Sequence, residues 1–397
     1  MRNKQVSRAV RLVKEFLATD FGIALIITLV WKIIITAIGY IIDVRSGTAT
    51  SLFDHTVWWD ANWYLAIVTH HYTDPIASAA FYPLFPFLVS VVHFMSFGGL
   101  DYPVAAQLIN TASVWLGLVA AIKIGRLLLG QKNRFWIVAL LLSAPAAFFM
   151  HTFYSEAVFI ALSFWAYYFA LKKQWLWVGI LLGALTAARL PSVLIIALCG
   201  LEFLRSYDWN IKRALNKKAL YFLIAPIGFI AFSLYLGFAQ HDPLGMFHAY
   251  KATSDWAYQV FNPNIIETMA KAAYQIVRVG IGARPFDLGF VVNILLPLVS
   301  LVILGLSSLY LLIKHPKTLL PLGIVGILSI IMFTLNSNVV SIHRYALPSL
   351  TIYVAIGLLL KSTAPKWQIP LIVVVCGLSL CLQFYLYAGF IQHLFVG

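Results

Sequence analysis

The sequence has few charged residues for its length. Asp, Glu, Lys and Arg make up 11% of its 397 residues, whereas 61% are hydrophobic. A soluble domain carries about 25% charged residues, so this composition excludes a chain of one or two water-soluble domains. It predicts an all-α polytopic membrane protein, because each spanning helix needs roughly 20 apolar residues. The chain has room for about 11 such helices in a single domain over residues 1–397.

Other scarce features narrow the class further. The three cysteines, Cys199, Cys376 and Cys381, all lie in apolar stretches. The sequence therefore indicates neither a disulfide framework nor a thiolate metal site. No glycine-rich phosphate loop follows a strand pattern, which argues against a nucleotide-binding domain. No basic helix is large enough to read nucleic acid, so no nucleic-acid partner is expected.

Basic residues are distributed unevenly, and their distribution predicts the orientation of the chain. Lys and Arg collect in cytoplasmic loops. With eleven spans, the cytoplasmic segments, beginning with the basic N-terminus at 1–20, hold 20 of the 28 basic residues and only four of the 14 acids. This count requires the short apolar stretch 81–97 to stay on one side as an interfacial or re-entrant helix. The two large outer loops are then 43–102 and 240–285.

Apolar runs predict where the spanning helices lie. They cover residues 21–42, 103–127, 135–151, 155–171, 219–239, 286–313, 318–335, 345–361 and 368–390. The stretch 175–204 is interrupted by Arg189 and Pro191, because proline breaks the helical hydrogen-bond ladder and a charge at mid-bilayer is costly. We expect two short helices there, meeting near Arg189.

The first outer loop contains the strongest candidate for chemistry. Residues 58–67 read Trp-Trp-Asp-Ala-Asn-Trp-Tyr-Leu-Ala-Ile, and helical spacing places Asp60 and Tyr64 on one face of a short interfacial helix. The alternative interpretation is an ordinary aromatic belt with an acid complementing the helix dipole. Asp54 is a second candidate acid, although Asp in such loops commonly caps a turn.

Three histidines in the same loop, His55, His70 and His71, invite a metal site. No carboxylate stands at a convincing ligand spacing. A divalent metal is therefore allowed but not indicated, and no other cofactor is expected.

Further charged residues stand close to predicted membrane helices. Glu156 begins one of them, where it complements the helix dipole or belongs to a site. Arg189 stands at a helix break, where a cation needs an anionic partner such as phosphate, although snorkelling to headgroups is an equally good explanation. His343 and Arg344 offer a second cation at the outer mouth. Lys32, midway along the first helix, has no obvious partner and is assigned no role.

Taken in order, these motifs resemble the GT-C superfamily of lipid-linked-sugar-dependent glycosyltransferases, most closely the glycosylphosphatidylinositol mannosyltransferase II family. The motifs are Trp59-Asp60 with Tyr64 and His71-Tyr72, Phe81-Tyr82-Pro83-Leu84-Phe85-Pro86, Pro145 through His151 to Glu156, Thr186 to Arg189, and Arg344-Tyr345 with Pro348. Each is short, but the Trp-Asp helix followed by the Phe-Tyr-Pro-Leu-Phe-Pro segment is fairly specific. The loop 240–285 matches only loosely.

The resemblance implies a GT-C-like helical bundle and an inverting transferase. It implies transfer of mannose from a polyprenyl (dolichyl) phosphate donor to a hydroxyl of a glycolipid or glycan on the non-cytoplasmic face, with Asp60 as the essential acid. One carboxylate that deprotonates the acceptor suffices for such a displacement. Arg189 and Arg344, assisted by His343, would bind the donor phosphate. The supporting residues would be Trp59, Tyr64, Asp54, His151, Tyr154, Glu156 and Tyr82.

The chain is compact relative to eukaryotic family members, which favours a bacterial or archaeal cell membrane over the endoplasmic reticulum and an acceptor other than glycosylphosphatidylinositol.

Two other functions stay open. A polytopic lipid or glycolipid transporter or flippase is the first alternative. It predicts paired discontinuous helices in corresponding halves, and the sequence shows one such break, near Arg189. A noncatalytic subunit that binds a lipid-linked sugar is the second.

Overall fold

The computed structural model describes residues 14–47, 51–73, 76–252 and 261–397. Every regular element in these ranges is a helix. Most of the basic N-terminal segment lies outside the described residues, as do short stretches of both large outer loops. Within the described ranges, the all-α class predicted from composition is confirmed.

Among the described residues, five helices are long and apolar enough to cross a membrane. They are Asp20–Ser46 (α1), Tyr102–Leu128 (α4), Lys217–Gln240, Leu288–Lys314 (α13) and Pro365–Ile391 (α17). Large apolar side chains such as Ile33, Phe238 and Val373 are exposed on them, as expected where lipid rather than water surrounds the bundle. A multi-pass membrane protein is thus supported, whereas the count of about 11 spans stays a prediction.

The other helices are shorter. Those with ten or more residues are Asp60–His70 (α2), Leu84–Met95 (α3), Glu156–Leu171 (α6), Trp175–Thr186 (α7), Ser192–Arg205 (α8), Ile265–Gly280 (α12), Leu320–Thr334 (α14) and Leu350–Ser362 (α16). Short α-helices lie at Trp136–Ser143 (α5), Ile211–Ala214 (α9), Gly245–Ala252 (α11) and Ile342–Tyr345 (α15).

The remaining helical segments in the described residues are 3₁₀ turns, which are tighter than an α-helix, and one π-turn, which is wider. Single 3₁₀ segments lie at Asp54–Thr56, Ile76–Ala80, Gln131–Asn133 and Ala147–Met150. The long helix Lys217–Gln240 starts as 3₁₀ over Lys217–Ile224 and continues as Ile227–Gln240 (α10), and α13 contains a π-turn at Val291–Leu295.

Local side chains fix the ends of α1 and α4, which pack antiparallel. The Thr19 hydroxyl accepts from the Gly22 N–H at 3.2 Å, and Asp101 accepts from the Val104 N–H at 3.1 Å, so each helix begins with a capping side chain. Arg126 and Asp20 form an ion pair at 2.5 Å near the opposite end of α4. These contacts fix the register of α1 against α4.

Two of the predicted apolar stretches are interrupted. As expected, 175–204 divides into α7 and α8 with a break at 187–191. The prediction of one helix over 135–151 was wrong, because α5 ends at Ser143 and a 3₁₀ turn follows. Pro145 has no N–H to donate and favours an extended conformation in the residue before it. Ala144 has φ −55° and ψ 141°, in agreement with that preference.

Aromatic side chains fill the interior around the second break. Phe148, Phe149, Phe153 and Tyr154 are buried together with Phe390 of α17. These side chains stabilise the packing by van der Waals contact, since lipid tails are as apolar as the side chains themselves. The non-helical backbone at 144–155 is therefore held rigidly inside the bundle.

Candidate active site

Four charged side chains from distant parts of the sequence form one ion-pair network. Arg344 Nη2 donates to Asp60 Oδ2 at 2.8 Å, and Arg344 Nε lies 3.3 Å from Glu156 Oε1. Arg189 pairs with the same oxygen of Glu156. Two acids and two arginines balance the formal charge, and this balance permits the network to persist where a single buried charge would be costly.

Asp60 is the first residue of α2, and Tyr154 holds the backbone there. The Tyr154 hydroxyl accepts from the Asp60 N–H and donates to the Trp58 carbonyl, both at 3.1 Å. Trp59 lies between them with φ +58°, a conformation that costs a non-glycine residue about 1–3 kcal/mol. The Asp60 side chain is 29% exposed, and no described residue bonds its Oδ1. One carboxylate oxygen is thus fixed and the other is open to a ligand.

Tyr64 lies one turn after Asp60, on the same side of α2. Its hydroxyl forms a 2.8 Å hydrogen bond with Ser155 Oγ. Burial raises the pKa of Tyr64 to about 12, so the phenol is neutral at pH 7. The predicted face of the short helix therefore lies against the residues that lead into α6.

The two arginines of the network differ in their remaining hydrogen-bond capacity. Arg344 also donates from Nη1 to the Gly397 carbonyl at 2.9 Å, so two of its nitrogens form hydrogen bonds, whereas its buried Nε faces Glu156 at 3.3 Å without forming one. Arg189 has the Glu156 pair and the Tyr345 ring, 5.8 Å from its guanidinium. No described residue bonds its Nε or Nη2, and Glu156 Oε2 also has no hydrogen-bond partner there. The unused hydrogen-bond capacity of the network lies at Arg189, at Glu156 and at Arg344 Nε.

Asp54, the second candidate acid, does not join the network. Its carboxylate accepts from the Ser51 N–H at 2.5 Å and the Ser51 hydroxyl at 2.6 Å. This is the turn-capping arrangement that the sequence allowed as an alternative.

His343 also points elsewhere. Its Nε2 lies 2.9 Å from the Val396 carbonyl, and burial lowers the pKa of His343 to about 4. The ring is neutral at pH 7 and donates to that carbonyl, so the positive charge at the mouth comes from Arg344.

Of three other predicted residues, Trp59 and Tyr82 lie at the edges of the network and His151 lies apart from it. Trp59 packs edge-on against Phe395 at 5.3 Å between ring centres, and Tyr82 packs on Phe232, also at 5.3 Å. His151 belongs to a different polar cluster, described below.

Two features of this region were missed by the sequence reasoning. Residues 392–397 fold back over the site, where His393 lies 3.7 Å from the Trp58 ring centre and two backbone carbonyls bind His343 and Arg344. Tyr250 of α11 lies close enough to Asp60 and Tyr345 to interact electrostatically with both. Only the loose match of the second outer loop hinted at Tyr250, and no motif marked 392–397.

A second buried polar cluster surrounds Lys32. Its Nζ lies 2.8 Å from Gln107 Oε1 and 3.2 Å from His151 Nδ1. Gln107 donates to the His151 carbonyl at 2.7 Å, and His151 Nε2 lies 3.4 Å from His55 Nε2. No carboxylate among the described residues forms an ion pair with Lys32.

The histidines of the first outer loop are not assembled around a common point. His55 is buried against His151, whereas His70 and His71 are exposed at the end of α2. In the part of the chain that the structure describes, no three His, Cys, Asp or Glu side chains are arranged to hold a metal ion.

A narrow apolar cavity lies beside the break after Arg189. It has a volume of about 40 Å³ and is lined by Pro191, Phe333 and Tyr345 among others, but not by Asp60. Ligand pockets usually enclose about 300–1,000 Å³. Side chains have to move before a sugar could enter here.

No protein-family model matches the chain, and no curated protein matches it.

Proposed function

We propose that this protein is an integral-membrane inverting glycosyltransferase. It transfers a hexose, mannose by the resemblance, from a polyprenyl phosphate donor to a hydroxyl of a glycolipid or glycan on the non-cytoplasmic face. One observation supports this most: Asp60, Glu156, Arg189 and Arg344 come from four segments of the chain and meet in one network. The carboxylate can act as a base, and an arginine beside it that has unused N–H groups can bind the phosphate that leaves.

Asp60 acts as the general base. Arg344 fixes Oδ2, which leaves Oδ1 to accept the proton of the acceptor hydroxyl. As that proton moves to Asp60, the acceptor oxygen forms a bond to the anomeric carbon and the bond from that carbon to the phosphate oxygen breaks. The configuration inverts in one displacement, so no second carboxylate is needed as a nucleophile.

Arg189 binds the phosphate of the donor. The leaving phosphate gains negative charge as the sugar departs, and a guanidinium with open N–H groups stabilises that charge. Arg344 is better suited to hold Asp60 in place, because two of its nitrogens already donate to protein acceptors, one of them Asp60 itself. This divides the phosphate-binding role predicted for both arginines into one binding and one positioning role.

Topology favours a lipid-linked donor. The network lies in segments predicted to face outward, whereas nucleotide sugars are made in the cytoplasm. The membrane concerned is a bacterial or archaeal cell membrane.

The test is transfer of radiolabelled mannose from polyprenyl-phosphate-mannose by the purified protein in liposomes that contain a glycolipid extract. Asp60→Asn should lower the rate about 10²–10⁴-fold, the usual contribution of a general base. Asp101→Asn is the matched control, since it exchanges one helix-capping side chain for another and should retain the rate. Asp54→Asn should also retain it.

Full turnover by Asp60→Asn would remove the base assignment, and loss in Asp54→Asn alone would move it to Asp54. Movement of labelled lipid across the bilayer without any new glycosidic product would instead support the transporter.

A further inference from the structure

Lys32 lies at the wall of an open cavity between α1 and α4. The cavity has a volume of about 460 Å³ and is lined by Leu29, Ile33 and Tyr40 of α1, Phe53 of the first outer loop, and Thr111 of α4. Ile33 is 67% exposed, and Leu29 and Tyr40 are also exposed. Because these side chains face the bilayer, the cavity is a groove that opens sideways to lipid.

The charge of Lys32 is not balanced by its neighbours. The side chain is 7% exposed, and its bonds go to the neutral Gln107 amide and to His151. A third ammonium hydrogen has no acceptor among the described residues. An amine in apolar surroundings either loses its proton or pairs with an anion, and the groove beside Lys32 is open to an anion from outside the chain.

The backbone of Lys32 lies near the middle of α1, but its ammonium group reaches the level of a lipid headgroup. Its partner Gln107 is five residues after the start of α4, about 7.5 Å along the helix axis at 1.5 Å per residue. The 27 residues of α4 extend about 40 Å, roughly 10 Å more than the hydrocarbon core. If α4 is centred, Gln107 lies within a few ångströms of the outer hydrocarbon boundary, where phosphates and glycerol oxygens lie.

We propose that this groove binds an anionic glycerophospholipid of the outer leaflet, with its phosphodiester on Lys32 and an acyl chain along Leu29 and Ile33. A single ammonium matches the single negative charge of a phosphodiester, and the Thr111 and Thr36 hydroxyls lie in the same lining. The groove shares no lining residue with the Asp60 network. This lipid site is therefore separate from the proposed transfer site and does not depend on transfer.

The experiment is a lipid titration of the delipidated full chain, followed by native mass spectrometry. Phosphatidylglycerol and phosphatidylcholine with the same acyl chains, polyprenyl phosphate and inorganic phosphate are the probes. We expect one phosphatidylglycerol per protein, and Lys32→Gln should weaken its binding about tenfold, the value of one charge-assisted hydrogen bond. Lys32→Arg should restore most of the affinity.

A second pair of variants leaves Lys32 unchanged. Ile33→Trp fills the groove and should also weaken binding about tenfold, whereas Ile34→Trp, on a neighbouring exposed position outside the groove, should not. Equal binding of phosphatidylcholine, preferred binding of polyprenyl phosphate, displacement by inorganic phosphate, or unchanged affinity in both Lys32→Gln and Ile33→Trp would each overturn the proposal.

Discussion

The two buried polar clusters of this protein differ in how their charge is balanced. Asp60, Arg344, Glu156 and Arg189 pair acid with base inside the chain. Lys32 has only neutral partners in Gln107 and His151. Both clusters contact the same buried segment, 151–156, yet one is complete in charge and the other requires an anion. Burial alone therefore does not define a ligand-binding site. Where a buried charge has no counterion in the chain, its sign indicates the charge of the ligand.

The sharpest way to test this contrast is to remove one charge from the balanced network. Glu156→Gln leaves two buried arginines with one carboxylate, so the free energy of unfolding should fall by about 3–5 kcal/mol. Thermal and denaturant unfolding in detergent would measure it. Glu267→Gln is the matched control, because Glu267 pairs with Lys271 at 2.6 Å on an exposed helix face, where solvent screens the pair and its loss should leave the stability close to that of the parent. Equal losses in both variants would mean that the network is not balanced as described.

Acid should destabilise the protein through two buried neutral histidines, His55 beside the Lys32 cluster and His343 beside Arg344 in the sequence. Burial lowers the pKa of His55 to about 4 and that of His343 to about 4 as well, below the unfolded value of 6.5. The unfolded chain then binds more protons between those values, so stability is fully present above pH 6.5 and declines as the pH falls towards 4, by on the order of 3 kcal/mol per histidine. Unfolding measured across that range should show a shallower slope in His55→Gln and in His343→Gln. An unchanged slope in both would contradict the buried neutral state.

The smallest effect is expected at the unbalanced cluster. Lys32→Met removes a buried charge, which favours folding, but leaves the acceptors on Gln107 and His151 without a donor, which costs about 1–3 kcal/mol. These terms oppose each other, so stability in lipid-free detergent should change by no more than about 1 kcal/mol. The stabilisation gained on adding phosphatidylglycerol should disappear in the same variant. A loss as large as that of Glu156→Gln would show that Lys32 has a counterion in the chain.

Much of the fold followed from local patterns in the sequence. Apolar runs marked the helices, and the charge and proline at 189–191 marked the break between α7 and α8, because both act on the few residues around them. The same local chemistry at Pro145 was overlooked, and the predicted helix over 135–151 was therefore too long. The hydrophobic periodicity does not reveal the end of a helix when the residues on both sides of that end are mostly apolar.

Less of the site could be predicted from the sequence. Helical spacing placed Asp60 and Tyr64 correctly on one short helix, but the partner of Asp60 is 284 positions away. No local pattern encodes such a pairing, and no motif indicated that residues 392–397 cover it. Lys32 had no partner in sequence because its partners, Gln107 and His151, lie on other helices and turns.

The central claim is that Asp60 performs chemistry while Arg189 binds the donor. Equilibrium binding of polyprenyl-phosphate-mannose to the purified protein tests it most directly. Asp60→Asn should bind the donor with an unchanged Kd while it loses transfer, and Arg189→Lys should weaken donor binding about tenfold, since lysine cannot reproduce the planar guanidinium fork. Loss of donor binding in Asp60→Asn, together with normal binding by Arg189→Lys, would contradict it.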